Sequence, residues 1–379
     1  MSDRIAFFTP TLQLGGAERK TAILANAMAA RGLEVDVCTA EPGGVVRKDI
    51  GANVRMVDFG ARRMRSCLLP LRRYLVENRP RVLFGIQCHT GLMSVMASLL
   101  SGTNTPVVIV EQSLTLSRLK EKSAYDYHKF RALVRLLYPR AARVVAISRD
   151  VRDDLVRHAG LDPAIIDLIH NPAAIPILAE TETEADWTGW PQTDDPVIAT
   201  VGRLVEVKDV PTLLRAFALL RSRRRAKLAI IGDGPDRKYL EAVARAQGIA
   251  DDTCFLGARN RPWNYLRRAD AFVMSSRFEG FGNTLVEAMA VGCPVVSTRC
   301  PGGPSDILED GLYGPMVPVG DHVAMAAAIE KVLDFRPSPE RLAMRARDFG
   351  EPVIDSYMHL IASVSRRDAP ASQPQWQAT

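Results

Sequence analysis

Glu279 and Glu287 stand with seven residues between them in FEGFGNTLVEAMAVG, and the residues around them favour phosphate and sugar chemistry. Gly280 and Gly282 allow backbone N–H groups to approach a ligand closely. The helix expected behind them carries about half a positive charge at its N-terminus, which suits a phosphate. A carboxylate in the first turn of that helix can accept from both hydroxyls of a ribose. Glu279, in the preceding loop, can reach a sugar on the far side of the phosphates. A local reading competes with this one: Thr284-Leu-Val-Glu287 matches the Thr-x-x-Glu capping box, whose side chains satisfy the orphan N–H groups of a helix start. The residues alone leave both readings open.

A second constellation lies in VGRLVEVKD (201–209). An expected strand ends at Gly202, and Arg203 and Lys208 follow in a loop that enters a helix. Arginine as a bidentate fork and lysine as a point charge suit two charged phosphates, although either residue taken singly reads as a surface cation. In the first half, Gly15 and Gly16 of LQLGGAER (12–19) follow the first expected strand. A plain turn there needs one glycine; a pair lets amides meet an anion or a sugar ring. His89, in FGIQCHTG, sits at the carboxyl end of another strand and reads equally as a core histidine or a site residue. Glu111, Gln112 and Ser148 occupy equivalent strand ends with open roles, and Asn171-Pro172 is expected to shape the start of a linker.

IIGDGPDRKYL (230–240) reads as a tight turn before a helix, and no G-x-G-x-x-G occurs in either half, which counts against a dinucleotide cofactor. The paired acids Asp153-Asp154, Asp194-Asp195 and Asp251-Asp252 lack the Asp-x-Asp spacing that holds a divalent ion against a diphosphate. Arg203, Lys208 and a helix dipole can neutralise that charge instead. No required metal and no cofactor is therefore expected.

Short apolar runs alternate with helical patterns in both halves. Strands are expected at 5–10, 35–40, 54–59, 82–86, 107–111 and 144–148, then at 197–203, 227–234, 253–258, 271–276 and 293–298. Such alternation predicts α/β architecture with doubly wound parallel sheets. Pro172 to Pro196 is rich in Pro, Thr and acids, as an inter-domain linker is. The expected organisation is a Rossmann-like domain over 1–172, a linker over 173–195, a second such domain over 196–345, a closing helix over 346–365 and a disordered tail over 366–379. Open parallel sheets bind ligands at the carboxyl ends of their strands. Two such sheets facing each other would hold the ligand in a central cleft.

A chain of 379 residues suits two domains, and 47% hydrophobic with 24% charged residues is ordinary for a globular protein. Six cysteines without a CxxC pair fit reduced thiols rather than a disulfide frame or a zinc site. MSDRIAFFTP lacks the features of a signal peptide, so a cytoplasmic location is expected. Residues 82–110 carry no charge, yet Gln87, His89, Thr90 and the break at 101–106 argue for strand, helix and strand over a membrane span of roughly 20 apolar residues. The net charge of +6 is concentrated in two runs, Arg62 to Arg81 and Arg118 to Arg143. These are solvated helix faces or a surface for anionic lipid on the inner face of a membrane. No nucleic-acid-binding motif accompanies them, so no nucleic acid is expected.

From residue 197 to 335 the sequence resembles the family 4 retaining glycosyltransferases, which have the GT-B fold of two Rossmann-like doubly wound domains facing a central cleft. The resemblance rests on GRLVEVKDVPTLLRAFA (202–218), LAIIGDGPDRKYLEAVARAQGI (228–249) and FEGFGNTLVEAMAVGCPVVSTRCPGGPSDILEDGLYGPMVPVGD (278–321), with the Glu279–Glu287 spacing as the family signature. LGGAE, His89 and IHNP carry a thinner likeness in the first half. The resemblance implies an acceptor-binding first domain, a donor-binding second domain, and a closing helix that packs back on the first. Arg203 and Lys208 would hold the donor diphosphate, Glu287 the nucleotide ribose and Glu279 the transferred sugar. Gly280, Phe281, Gly282 and Asn283 would offer amides to phosphate or sugar, and Gly15, Gly16, Gly202 and Thr284 complete the expected donor-binding set. His89 would contact the sugar or the reaction centre, so Glu279, His89, Arg203 and Lys208 form the expected catalytic set.

The implied reaction moves a hexose or N-acetylhexosamine from a nucleotide sugar, UDP-linked first of all, to a hydroxyl of a glycan or lipid-linked acceptor in cell-envelope polysaccharide synthesis, lipopolysaccharide included. Retention would follow from attack on the face the leaving diphosphate departs from. Two alternatives compete. A non-hydrolysing UDP-sugar 2-epimerase would want several histidines at the site, where only His89 is placed. A non-catalytic nucleotide-sugar-binding partner protein would not need the full set of Arg203, Lys208, Glu279 and Glu287.

Overall fold

The structure, a computed structural model, describes residues 3–13, 15–61, 63–178 and 188–366. The middle of the expected linker (179–187), residues 367–379 of the expected tail and Arg62 of the basic run lie outside the described residues. The chain forms two units: Met1–Ala146 with Leu155–Ile169 and Ile354–Thr379, and Ile147–Asp154 with His170–Val353.

The first stretch of chain runs β1 (Arg4–Thr9), α1 (Gly16–Ala30), β2 (Glu34–Thr39), β3 (Val54–Asp58), α2 (Leu68–Asn78), β4 (Val82–Ile86), α3 (Cys88–Ser101), β5 (Val107–Glu111), α4 (Thr115–Lys122), α5 (Ala124–Leu137), β6 (Arg143–Ala146), α6 (Arg149–Asp154) and β7 (Ile166–Leu168). The sheet is parallel, in the order β3-β2-β1-β4-β5-β6-β7. Strands β4 and β5 are buried throughout. Helices cover both faces of a parallel sheet, which is why these strands read as unbroken apolar runs. The uncharged stretch 82–110 is thus strand, helix and strand, and among the described residues no helix is long and apolar enough to cross a membrane.

The second unit adds α7 (Ile175–Leu178), β8 (Val197–Val201), α8 (Val210–Arg221), β9 (Lys227–Ile231), α9 (Arg237–Ala246), β10 (Thr253–Gly257), α10 (Pro262–Leu266), β11 (Ala271–Met274), α11 (Asn283–Ala290), β12 (Val295–Thr298), α12 (Pro304–Leu308), β13 (Met316–Val317), α13 (His322–Asp334) and α14 (Pro339–Arg347). Its strands pair in parallel in the order β10-β9-β8-β11-β12-β13. Leu213, Phe217 and Leu220 of α8 meet Met325, Ile329 and Val332 of α13 in its core.

The last helix, α15 (Glu351–Arg366), begins five residues later than the expected 346. Pro352 explains the difference: proline fits the first turn of a helix but lacks the N–H its interior requires. From Ile354 onward this helix belongs to the first unit. Tyr357 sets its ring edge-on to Phe84 at 6.1 Å, and Phe84 stacks on Phe7 at 5.0 Å. Arg31 pairs with Asp355 at 2.7 Å, and Arg81 donates to Ser365 at 2.7 Å.

The boundary between the units also departs from the expected residue 172. Residues 147–154 and His170 to Pro172 belong to the second unit. The cause lies in side-chain contacts that no local pattern carries, described with the site below.

Candidate functional site

In each sheet the strand order turns back once, between β1 and β4 in the first and between β8 and β11 in the second. Open parallel sheets bind ligands at the carboxyl ends of the strands at such points. In the second unit, residues after β8 supply Gly202, Arg203 and Lys208, and residues after β11 supply Ser275, Ser276 and Glu279. Gly202, Arg203, Lys208, Met274, Ser275 and Ser276 line a shallow, open depression there.

Lys208 and Glu279 meet directly, with Nζ 2.5 Å from Oε1. The same oxygen accepts from Ser276 Oγ at 2.6 Å, and Ser275 Oγ donates to the Lys208 carbonyl at 2.7 Å. Two serines thus fix the cation and the carboxylate. Arg203 is exposed and, among the described residues, has no carboxylate partner. Its loop is braced by the IIGDG turn: Gly202 N–H donates to the Ile231 carbonyl at 3.0 Å, and Leu204 N–H to the Asp233 carbonyl at 2.9 Å. The turn that reads as punctuation in the sequence is the support of the arginine.

The capping-box reading of Thr284 and Glu287 is corrected. Helix α11 is capped by Gly282 in the left-handed conformation, at φ 102° and ψ 46°, with no side-chain cap. Glycine takes that conformation without the steric cost a Cβ brings. Thr284 is therefore the second helical residue, and Glu287 lies two residues deeper than a capping carboxylate, buried.

Glu279 and Gly280 sit in a loop held from three sides. A Cβ at Gly302 would lie 1.9 Å from the Glu279 carbonyl oxygen, so only glycine lets these two backbones touch. Ser148 Oγ donates to the Gly280 carbonyl at 3.1 Å, and Asp150 Oδ2 accepts from Gly302 N–H at 2.7 Å. Arg149 donates its backbone N–H to the buried Asp306 at 2.7 Å and its Nε to the other oxygen of the same carboxylate. These bonds are why 147–154 belongs with the second unit. Asp306→Ala is expected to cost about 1–3 kcal/mol by leaving the Arg149 donors without their acceptor, a fall in thermal midpoint checked by calorimetry.

Phe281 is buried, its ring stacked on His170 at 5.3 Å and edge-on to Phe349 at 5.5 Å. The side chain anchors the loop, which leaves the backbone to face a ligand. Asn171 is also buried and donates to Asn283 Oδ1 at 3.3 Å, so it supports the start of α11 rather than only opening a linker. Cys300 lies behind the loop, and burial first, then the Glu279 charge, pushes its thiol up to about 12; it is no nucleophile at neutral pH.

In the first unit, Gly15 caps α1 and Gly16 begins it, at the end of β1, and His89 opens α3 after β4. Both therefore flank the point where that sheet turns back. The His89 ring is exposed and edge-on to Phe130 at 4.9 Å, and desolvation holds its pKa below the usual histidine value. It is not a satisfied core histidine. Glu111, by contrast, is a buried carboxylate with both oxygens engaged: one accepts from Thr115 Oγ1 at 2.8 Å and the other from the buried Tyr138 hydroxyl at 2.7 Å.

A family profile described as Glycosyl transferases group 1 matches residues 183–349, and one described as Glycosyltransferase Family 4 matches residues 14–174. A lipopolysaccharide core biosynthesis glycosyltransferase of Rhizobium meliloti (strain 1021), LpsE, is 29% identical over 357 residues, covering 92% of this chain and 96% of that protein. Among solved structures, the lipopolysaccharide outer core galactosyltransferase WaaB superposes with a TM-score of 0.71 at 21% identity, over 95% of this chain and 99% of the other. The Anabaena protein HepE in complex with UDP superposes with a TM-score of 0.75 at 18% identity, over 95% and 99%. Fold and site together define a glycosyltransferase with the GT-B fold of two Rossmann-like domains. Within that class, the chain belongs to glycosyltransferase family 4. The epimerase reading is set aside by that membership.

Proposed function

We propose that this glycosyltransferase moves a sugar from UDP to a hydroxyl of a lipid-linked glycan acceptor during lipopolysaccharide core assembly, with retention at the anomeric carbon. The observation that carries the reading is the joining of Arg203, the Lys208–Glu279 pair and the start of α11 at one turning point of the second sheet. The printed activities of the relatives support the acceptor, and the UDP in the HepE complex supports the base.

Cleavage of the sugar–phosphate bond builds negative charge on the leaving diphosphate and positive charge on the ring. Arg203 and Lys208 are fixed cations for the former, the kind of preorganised stabilisation that dominates catalysis. Glu279 is held by Ser276 as a carboxylate for the sugar, and Glu287 accepts from the ribose hydroxyls. The leaving phosphate takes the proton of the attacking hydroxyl on the same face of the ring. The two cations supply the charge a metal would otherwise supply, so activity is expected to survive chelation by EDTA.

Thermal unfolding against UDP, GDP, ADP and their sugar conjugates tests the donor. A ligand at ~100 times its dissociation constant adds ~2.7 kcal/mol to stability. UDP and UDP-sugars are expected to raise the midpoint, and Glu287→Ala to abolish the rise. A shift with GDP or ADP alone overturns the choice of base. Binding without sugar release, in the presence of lipid-linked acceptor, would favour the non-catalytic reading.

A further inference from the structure

We infer that Lys20 binds a negatively charged group, a carboxylate or a phosphate, on the acceptor sugar. Calling that ligand an acceptor rests on the function proposed above; the charge it must carry rests on the first unit alone. Lys20 lies on the second turn of α1, 6% exposed, and its amine donates to Oε1 of Gln112 just after β5. In the sheet β4 stands between β1 and β5. The bond therefore crosses the carboxyl end of β4, where the strand order turns back and open sheets take their ligands. The backbone at that strand end is strained. Gln87, which caps α3, sits at φ 79° and ψ 162°, a region that glycine occupies almost alone. Its N–H donates to the Val110 carbonyl at 2.9 Å, and its carbonyl accepts from Gly91 N–H at 2.9 Å and Thr90 Oγ1 at 3.0 Å. Strain held in place in this way gathers at ligand-binding positions.

An ammonium has three donors to satisfy. Among the described residues, that of Lys20 meets the neutral amide oxygen of Gln112 and forms no ion pair with a carboxylate. Glu18 is the acid closest along the helix, and its carboxylate folds back over Gly15, where a Cβ would collide with Glu18 Oε2. The amine is thus desolvated and short of an anion. An anionic oxygen bonds an ammonium more strongly than an amide oxygen does, so a carboxylate or phosphate displaces the half-buried Gln112 or shares the amine with it. A neutral sugar hydroxyl has no such advantage. Burying a charge without a charged partner weakens a fold, and groups that do so gather where ligands are bound.

The test is thermal unfolding of the full chain with glucuronate, glucose 6-phosphate and glucose, at one ionic strength and at pH 6.5, below the pKa of about 7 that burial gives Lys20. At least one anionic sugar is expected to raise the wild-type midpoint, and glucose is not. Which of the two acts separates a carboxylate from a phosphate. Each variant is compared with its own midpoint without sugar. Lys20→Met is expected to erase the rise and, by titration calorimetry, to weaken binding about 10- to 100-fold. Glu18→Gln should strengthen binding, because the Glu18 charge acts on Lys20 and repels an entering anion. Arg203→Met, in the second unit, should keep the rise. An equal rise with glucose, no rise with any of the three, a rise that survives Lys20→Met, or a rise lost only in Arg203→Met would each overturn the assignment. UDP reads the donor site separately: its shift should persist in Lys20→Met, and its absence from the wild type would refute the donor reading without touching the Lys20 result.

Discussion

Lys208→Met is expected to lower the rate of donor cleavage about 100- to 1,000-fold, the loss typical of a fixed group aimed at charge that develops in the transition state. Methionine keeps the length of the stem and removes the ammonium. The Lys208–Glu279 pair is partly exposed, so the variant should unfold close to the wild-type midpoint. Glu279→Gln is expected to cause a loss of similar order, because the amide keeps the shape and gives up the charge that Ser276 and Lys208 both address. The double variant should be little slower than the slower single one, since groups that act as a unit do not add. The assay is release of the nucleoside diphosphate from whichever donor shifts the midpoint. A Lys208→Met enzyme working at half the wild-type rate would remove the ammonium from the chemistry and make the ion pair a structural tie.

What could be read in the sequence, and what could not, follows the range of the interactions. The strands of both sheets were legible because burial on both faces leaves runs such as VLFGI and VVIV with no alternation to confuse them. Strands β7 and β13, three and two residues long, are too short to carry a pattern. Arg203, Lys208 and Glu279 were legible as residue types at strand ends, and the structure brings all three to one place. Their meeting as an ion pair was not, since it depends on the register of β8 against β11. Of the two readings left open at Thr284, capping fails because Thr-x-x-Glu is a local signal, and it lost to Gly282, whose left-handed backbone starts the helix two residues earlier. The bonds from Ser148, Arg149 and Asp150 to Gly280, Asp306 and Gly302 join residues more than 130 positions apart. No periodicity or spacing encodes a contact of that range. The one hint was PGGPSD, where adjacent glycines and an acid crowd six residues without reading as a turn before a strand.

Lys20→Met is expected to stabilise the protein, most strongly at and below pH 7. Lys20 is buried on α1, where Nζ donates to Gln112 Oε1 and, among the described residues, no carboxylate forms an ion pair with it. Burial lowers its pKa to about 7, with the Glu18 charge opposing the shift. Glu18, itself partly buried, is raised above the usual carboxylate value by desolvation. The unfolded lysine keeps its proton to about pH 10.4. Below pH 7 both states are protonated, and the folded protein bears the full cost of a buried ammonium. Between pH 7 and 10 the unfolded chain holds more protons than the folded one, so stability rises with pH through that window. The shift from about 10.4 to about 7 corresponds to roughly 4–5 kcal/mol. That is the ceiling on the gain from Lys20→Met, because the bond to Gln112 is lost as well. Urea unfolding of both proteins at pH 7, 8.5 and 10 measures it. The advantage of the variant should shrink steadily as pH rises. Parallel stability curves would mean that Lys20 is solvated in the folded state and that Gln112, at the end of β5, is held by something other than a buried amine.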